Sequence, residues 1–249
     1  MNWRALDEEL ARWRDGARAA DFWWRDDDAT QPNAALERLL ALSRSTGTPV
    51  ALAVIPLGAV PDLFAGLEAR VLMHGTDHRN RAAAGEKKTE FPAGESAAAA
   101  LERLRRAYQH LARLAGPRLL PVLAPPWNRF KRELVERLPA CGVVGLSAYG
   151  TREAAPAASG VTLVNTHVDV IDWHGRGGFV GEETALRATL NHLAARRERR
   201  ADAAEPTGVL THHAVHDEAT WTFLARLAER TRRHGAVWHD AAALFPSRA

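Results

Sequence analysis

Residues 22–29 read FWWRDDDA, an apolar run that continues into Arg25 and three adjacent aspartates. Neighbouring carboxylates repel one another, and a fold tolerates three of them beside an apolar strand only where a cation or a proton neutralises them. A helix N-cap in a solvated loop would explain one aspartate of the three. We therefore expect a bound cation at the end of this first strand.

A second polar stretch, residues 74–78 with the sequence HGTDH, also follows an apolar run. Its two histidines are four residues apart, and with one carboxylate they form a three-ligand, open-sided site for a divalent metal ion. Such pairs also occur as solvated or core histidines. Gly75 permits close backbone approach here, which favours the metal site and hence a metal-dependent hydrolase. The ligand set suits zinc, and it also admits iron, cobalt, nickel and manganese.

The composition of the chain is that of a globular protein. With 249 residues, of which 46% are hydrophobic and 25% charged, we expect a single domain over residues 1–249. The formal net charge is +3, but the arginines are spread through helical segments without interleaved aromatic residues, so we expect no nucleic-acid partner. The single cysteine, Cys141, excludes an internal disulfide and a cysteine-rich zinc cluster.

The first ten residues are amphipathic and acidic, and they contain neither the basic region nor the apolar region of an export signal. No other window approaches the ~20 apolar residues that a membrane-spanning helix needs. We therefore expect a cytoplasmic protein without a membrane partner. The sequence gives no indication of the oligomeric state.

Short apolar runs alternate with amphipathic segments along the whole chain. Alternation of this kind predicts a parallel sheet covered by helices. Seven or eight such units in about 250 residues favour an α/β fold of the (β/α) barrel type, with parallel strands inside and helices outside. The predicted strands are 21–24, 49–55, 70–73, 119–123, 142–146, 161–170, 207–210 and 236–238. The predicted helices are 34–42, 95–114, 133–138, 182–195 and 219–232, and the predicted surface loops are 85–95, 152–160 and 196–206.

The unusual polar residues all follow the carboxyl ends of predicted strands, where barrel enzymes build their active sites. Five short motifs among them resemble, in order, those of the polysaccharide deacetylases of carbohydrate esterase family 4, the NodB homology domain. The matching segments are 27–28, 74–78, 124–127, 172–173 and 210–212. This resemblance covers residues 22–213, and it implies a distorted (β/α) barrel with one divalent metal ion. It also implies removal of an acetyl group from an amide nitrogen of a carbohydrate or a sugar-containing small molecule.

The resemblance implies a role for each matching residue. Asp28, His74 and His78 would hold the metal ion. Asp27 would be the general base that deprotonates the attacking water, and His212 would be the general acid that protonates the leaving amine.

The remaining motif residues would complete the site. By the same resemblance, Asp172 would keep the imidazole of His212 protonated. The backbone amide of Trp127, which follows Pro126 in the third motif, would stabilise the oxyanion. Trp127 and Trp173 would form apolar walls against the substrate.

The chain departs from the family pattern at two positions. The third motif carries Ala124 where the family has an arginine that steadies the base. Arg25 is our candidate replacement, because residues i and i+2 of a strand project to the same face, so that it could reach Asp27. Its alternative is an ion pair with Asp26 or Asp217. Asp26 replaces an aromatic residue, and it either accepts hydrogen bonds from loop amides or contacts the metal ion or substrate.

Other interpretations stay open at this point. His167 and His213 could contact substrate or have a structural role, and the charged segment 86–91 could be a lid over the site or a solvated loop. The missing export signal favours an intracellular glycan precursor or a small N-acylated metabolite as substrate. The alternatives are an amide or ureide hydrolase that acts on a non-sugar metabolite, and a carbohydrate-binding relic that has lost catalysis.

Overall fold

The computed structural model describes residues 1–175 and 177–245. Ten β-strands of these residues form one sheet. The strands are β1 (Asp21–Ala29), β2 (Val50–Val54), β3 (Arg70–His74), β4 (Leu119–Ala124), β5 (Gly145–Leu146), β6 (Pro156–Ala158), β7 (Val161–Leu163), β8 (Val168–Asp169), β9 (Thr207–Thr211) and β10 (Val237–Trp238). The helices are α1 (Trp3–Asp15), α2 (Ala34–Thr46), α3 (Ala97–Ala115), α4 (Arg132–Val135), α5 (Glu182–Arg197), α6 (Glu218–Arg233) and α7 (Ala241–Leu244).

The sheet has the order β6-β7-β5-β4-β3-β2-β1-β9-β8, and β10 pairs with β1. Every neighbouring pair is parallel except β6 with β7, and this antiparallel pair places a strand, β6, inside the predicted loop 152–160. The alternation of strands and helices along the chain and the parallel sheet confirm the predicted α/β fold class. None of the helices in the described part of the chain has the length and apolar character needed to cross a lipid bilayer.

One continuous segment brings the two ends of the sheet together. The predicted strand 161–170 is divided into β7, which pairs with β5, and β8, which pairs with β9. Between them, the Thr166 amide donates to Ala148 O, whereas the next amide, of His167, donates to Gly208 O. The same stretch of chain therefore bridges β5 and β9, which curls the sheet into a distorted barrel.

Strand β1 is longer than predicted, because it continues through all three aspartates to Ala29. Asp26 still lies in register with Leu52 of β2 and Thr211 of β9, and the pairing with β2 becomes irregular only between Asp26 and Ala29. The prediction that the aspartates follow the strand is therefore wrong. Two neighbouring strands offer backbone partners to this segment, and those partners outweigh the low strand propensity of aspartate.

The two faces of β1 have different surroundings. Trp23 packs in an inner cluster with residues of β2, β3 and β4, whereas Phe22 and Trp24 pack in the larger cluster under the helices. Side chains alternate along a strand, so Arg25 and Asp27 continue the inner face of Trp23. The strand thus brings a guanidinium and a carboxylate to the carboxyl end of the barrel interior.

Helix α1, which the sequence patterns did not predict, packs outside the barrel. Its buried side chains are Trp3, Leu6, Glu9, Leu10 and Trp13, and Asn2 caps its first turn by accepting a hydrogen bond from the Ala5 amide. The recurrence of these side chains every three or four residues is the pattern of a helix that packs through one face.

Candidate active site

Three side chains from β1, β3 and the turn after β3 converge on one point. Asp28 Oδ1 lies 3.1 Å from His74 Nε2 and 3.3 Å from His78 Nε2. Ligand atoms around a tetrahedral zinc ion are separated by about 3.4 Å, given bonds of about 2.0–2.1 Å. Asp28 Oδ1 is buried without a hydrogen-bond donor from the described residues. These three side chains therefore fit a divalent metal ion, and they are the set that the sequence predicted.

Strand β4 fixes the orientation of His74. His74 Nδ1 lies 2.9 Å from Ala124 O, and a carbonyl oxygen can only accept, so Nδ1 donates the hydrogen bond. The unprotonated Nε2 then faces Asp28, as a metal ligand requires. The carbonyl of Ala124 thus positions a candidate metal ligand.

The charges of the ligand set influence one another. Burial favours the neutral form of Asp28, but the adjacent imidazole of His74 outweighs burial and lowers the pKa of this carboxyl. Burial also opposes the charged form of His74, yet Asp27 and Asp28 raise the pKa of that imidazole. Burial and the charge of His74 lower the pKa of His78. The pocket thus favours positive charge between the aspartates and His74, which is what a cation supplies.

The candidate base is held by the residue that the sequence suggested. Arg25 Nε lies 2.8 Å from Asp27 Oδ1, and Arg25 Nη2 lies 2.9 Å from Asp27 Oδ2, so the pair is bidentate. Arg25 is 0% exposed, and its other hydrogen bonds go to Ser147 O, Ser147 Oγ and Asn128 Oδ1. Within the described residues, Asp27 is its one ion-pair partner, rather than Asp26 or Asp217. An arginine of β1 thus orients this carboxylate.

The candidate base lies between a metal ligand and the candidate acid. Asp27 Oδ2 is 4.0 Å from His74 Nδ1 and 4.0 Å from His212 Nε2. His212 Nδ1 is buried and has no hydrogen-bond partner among the described residues. The ring of Trp173 packs edge-on against the His212 ring at a centroid distance of 4.7 Å.

The structure does not place Asp172 beside His212. Its Oδ1 accepts hydrogen bonds from the amides of His174 and Gly175, so it closes its own turn. Asp169 lies on the same side of the site, where its carboxylate accepts a hydrogen bond at 2.9 Å from Nε1 of Trp173, the residue whose ring packs against His212. Burial raises the pKa of Asp169, and the charge of His212 opposes this shift. The expected contact between Asp172 and His212 is therefore absent from the described part of the chain.

Asp26 faces away from the metal ligands. Its carboxylate accepts hydrogen bonds from Thr211 Oγ1 at 2.6 Å, from the His213 amide at 3.0 Å and from His213 Nδ1 at 2.5 Å. Burial opposes the charged form of His213, but the hydrogen bond to Asp26 outweighs burial and raises its pKa. Of the two alternatives for Asp26, the geometry is that of the hydrogen-bond acceptor.

His167 is engaged inside the protein. Its Nδ1 accepts a hydrogen bond from the Gly208 amide at 3.0 Å, so the ring proton of the neutral imidazole is on Nε2, 3.3 Å from Glu205 Oε2. Its ring stacks on that of His192 at a centroid distance of 3.4 Å. Burial lowers the pKa of both imidazoles, that of His192 to about 2. The contacts of His167 are those of the structural alternative.

The third motif forms a turn after β4. Trp127 and Asn128 both have a φ of 55°, which turns the chain back across the metal-binding turn. The ring of Trp127 lies 4.6 Å from that of His78, and Pro126 packs against Gly75. Trp127 and Pro126 thus border the candidate ligand set.

Segment 86–91 is anchored at one end. Residues 86–88 are exposed, whereas Glu90 and Phe91 are buried. Phe91 packs edge-on against Phe130 at a centroid distance of 4.9 Å. The solvated-loop interpretation holds for the first half of the segment only.

Comparison with known proteins places this geometry in a known fold. No protein-family model matches the sequence, and no curated protein is similar to it. Among solved structures, the chain is similar to the Bc1960 peptidoglycan N-acetylglucosamine deacetylase, with 15% identity over 92% of this chain and 90% of that chain and a TM-score of 0.60. The chitin deacetylase of the fungal pathogen Colletotrichum lindemuthianum is 14% identical over 92% and 89% of the two chains, with a TM-score of 0.55.

A third similar structure is that of a family 4 acetyl xylan esterase from Clostridium thermocellum, solved in complex with a cobalt ion. It is 13% identical over 90% of this chain and 89% of that chain, with a TM-score of 0.50. These likenesses confirm the predicted fold, that of the polysaccharide deacetylases of carbohydrate esterase family 4, at low sequence identity.

Proposed function

We propose that this protein is a metal-dependent hydrolase that removes an acetyl group from an amide nitrogen of a carbohydrate or a sugar-containing small molecule. One observation carries the proposal. The donor atoms of Asp28, His74 and His78 converge beside a buried carboxylate, Asp27, that Arg25 holds in a bidentate pair. Metal-assisted hydrolysis requires a set of metal ligands and, next to it, an oriented general base.

Each side chain has a defined task in this reaction. Asp28, His74 and His78 hold the ion, for which zinc is our first choice. When bound, such an ion polarises the acetyl carbonyl and lowers the pKa of water in the site. Asp27 accepts the proton of the attacking water, and Arg25 keeps this carboxylate oriented.

The opposite side of the site completes the proton transfer. His212 donates a proton to the leaving amine through Nε2, 4.0 Å from the base. Asp169 acts on this side through Trp173, because it accepts a hydrogen bond from the Trp173 ring that packs against His212. The backbone amide of Trp127 donates to the oxyanion that forms on the acetyl oxygen.

Two aromatic side chains support a sugar as substrate. Trp173 is 52% exposed and Tyr149 is 48% exposed. Tyr149 donates a hydrogen bond to His167 O at 3.1 Å, and Trp173 donates one to Asp169 Oδ2 at 2.9 Å, so both rings are held in place. Aromatic rings held in this way offer apolar faces to a sugar ring while their polar ends stay satisfied.

The described sheet also supports one domain over residues 1–249, because strands from Asp21 to Trp238 all belong to it. The named neighbours support the substrate class. Two of them act on N-acetylated glycans by their names, and the third is named an esterase for acetyl groups of xylan.

The test is release of acetate from a panel of substrates by the metal-free and the zinc-loaded protein. The panel contains N-acetylglucosamine and its oligomers, O-acetylated xylose oligomers and cyclic ureides. We expect acetate from the N-acetylated sugars, loss of activity with chelator, and recovery with zinc. Ring opening of ureides without acetate release would favour the non-sugar alternative, and sugar binding without any hydrolysis would favour a relic.

A further inference from the structure

The turn that carries two of the candidate metal ligands has an unusual support. In the described part of the chain, the amide groups of Thr76 and Asp77 donate to a side chain rather than to backbone carbonyls. Both amides donate to the carboxylate of Glu90, at 3.0 Å in each case, and the hydroxyl of Thr76 donates to it as well. Thirteen or fourteen residues of chain separate the carboxylate from its donors.

Glu90 is 0% exposed, so its charge is removed from water. Burial of an ionised carboxylate is costly unless donors surround it. Here the donors of the turn occupy both oxygens, and Arg81 Nη1 lies 3.6 Å from Oε1. Burial raises the pKa of Glu90, and the hydrogen bonds from the turn oppose this shift. The buried carboxylate of Glu90 therefore fixes the positions of the donors on Thr76 and Asp77.

The space around the turn is filled. A Cβ added to Gly75 would lie 1.9 Å from Glu90 Oε2 and 2.6 Å from Pro126 Cδ. Arg103 binds the other side of the network, because it donates to Glu90 O at 2.9 Å and to Thr76 Oγ1 at 3.3 Å. The turn therefore cannot shift without loss of hydrogen bonds to Glu90 or collision with it.

We propose that Glu90 is a positioning residue of the metal site, which sets the backbone of residues 75–77 and thereby the separation of His74 and His78. This inference rests on the proposed function for the identity of the ligands. Glu90 itself does not touch the ion or the substrate. It acts through the amides of Thr76 and Asp77, which lie between the two histidines.

The sequence contains no feature that selects Glu90 among the acidic residues of its loop. Glu86 belongs to the same loop, but it is exposed, and the one hydrogen bond of its side chain with a described residue is from the Ala83 amide at 3.2 Å. The two glutamates thus form a matched pair, of which one supports the turn and the other does not.

The test is the zinc affinity of Glu90→Gln, with Glu86→Gln as control. Gln keeps one acceptor oxygen, but its amide NH2 group replaces the other oxygen. That group cannot accept the hydrogen bonds that the turn donates. Loss of an outer-shell partner typically weakens metal binding about 10–100-fold, and we expect this range for Glu90→Gln against less than a twofold change for Glu86→Gln. Affinity is measured by competition with a chromophoric chelator, and the visible spectrum of the cobalt-loaded protein reports the ligand geometry.

The outcomes separate this proposal from the function. If the native protein binds zinc and Glu90→Gln has the same zinc affinity and cobalt spectrum, the proposed role of Glu90 is wrong. The proposed function is not affected by that result. Failure of the native protein to bind zinc would overturn the proposed function. A role in stability alone would lower the melting temperature of the metal-free variant and leave the zinc affinity of the folded protein unchanged.

A measurement on the native protein covers the case in which the variant does not fold. The amides of Thr76 and Asp77 should be protected from hydrogen exchange in the metal-free native protein, because Glu90 accepts from both. Exchange of these amides at the rate of an unstructured loop would contradict the proposal.

Discussion

Arg25 is the residue on which the candidate site depends most visibly. It lies in the interior of the barrel, and all of its charge is opposed by one carboxylate, that of Asp27. Removal of one partner of a buried ion pair leaves the other charge uncompensated, which typically costs about 3–5 kcal/mol. We expect Arg25→Met to lose about this much free energy of unfolding in urea denaturation and to lose hydrolytic activity.

The control for this substitution is Arg233→Met. Arg233 pairs with Glu229 on the surface of α6, and both side chains are about two-thirds exposed. Exposed pairs of this kind contribute about 0–1 kcal/mol, so the control should unfold and hydrolyse nearly as the native protein does. Equal stability of Arg25→Met and the control would show that the buried pair does not hold the base.

His216 predicts how stability depends on pH. Both of its ring nitrogens are buried without partners among the described residues, and burial lowers the pKa of this imidazole to about 4. The unfolded chain takes up a proton below the usual pKa of about 6.5, whereas the folded protein does so only near 4, so stability falls as pH falls across this window. The free energy of unfolding of both proteins is measured by urea denaturation at pH 7 and at pH 4.5. Its decrease between these two pH values should be about 2 kcal/mol smaller for His216→Gln than for the native protein. Parallel losses in the two proteins would contradict the shift.

At the scale of elements, the turn after β3 depends on one glycine. Gly75 has a φ of 60°, and a side chain there would collide with Glu90 and Pro126. Gly66 has a φ of 66° with open space around it, so Gly66→Ala carries only the strain of the left-handed backbone, about 1 kcal/mol. We expect Gly75→Ala to lose most of its zinc affinity and Gly66→Ala to keep it, as measured by chelator competition. Equal affinities would show that the packing of the turn does not set the ligands.

The elements themselves show what sequence patterns can predict. The predicted bounds of β2, β3, β4 and β9 lie within one or two residues of the observed bounds. Buried parallel strands are continuous apolar segments in the sequence, which makes their ends easy to predict. The pair β6 and β7 was predicted only in part, since the Ala and Pro residues of β6 have low strand propensity and gain order from pairing with β7. Helix α1 was not predicted as an element, although its apolar residues have helical spacing.

In the candidate site, too, some residues could be predicted from the sequence and others could not. The metal ligands and the base lie in short motifs with recognisable spacing, and Arg25 follows from the alternation of a strand. Ser147, Asn128 and Glu90 lie in other elements, and only the folded chain brings them to the site. Asp172 does not reach His212 among the described residues because it accepts hydrogen bonds from the amides of His174 and Gly175, a contact that spacing alone does not reveal.

At the scale of the whole molecule, α1 is fastened to the outside of the barrel by Glu9. This carboxylate is 2% exposed, and it accepts hydrogen bonds from Arg197 Nε of α5 at 2.7 Å and from Arg12 Nη1 at 3.0 Å. Hydrogen bonds to charged groups contribute about 1.5–3 kcal/mol, so Glu9→Gln should lower the free energy of unfolding by this order.

The neighbouring residue provides the control. Glu8 pairs with Arg4 at the surface, where the two side chains are 55% and 84% exposed. Urea denaturation of Glu8→Gln should differ from that of the native protein by no more than about 0.5 kcal/mol. A loss in Glu8→Gln as large as that in Glu9→Gln would mean that burial at the junction of α1 and α5 does not decide the stability.

The barrel as a whole brings the carboxyl ends of β1, β3, β4, β5 and β9 together, where the candidate ligands, base and acid meet. The central claim is that Asp27 is the base beside a metal ion held by Asp28, His74 and His78. Its most direct test is a paired measurement on Asp27→Asn, of bound zinc and of acetate released from N-acetylated sugars. We predict zinc content equal to that of the native protein and a kcat lower by roughly 10²–10⁴-fold, the usual contribution of a general base. Native activity with bound zinc in Asp27→Asn would contradict the claim.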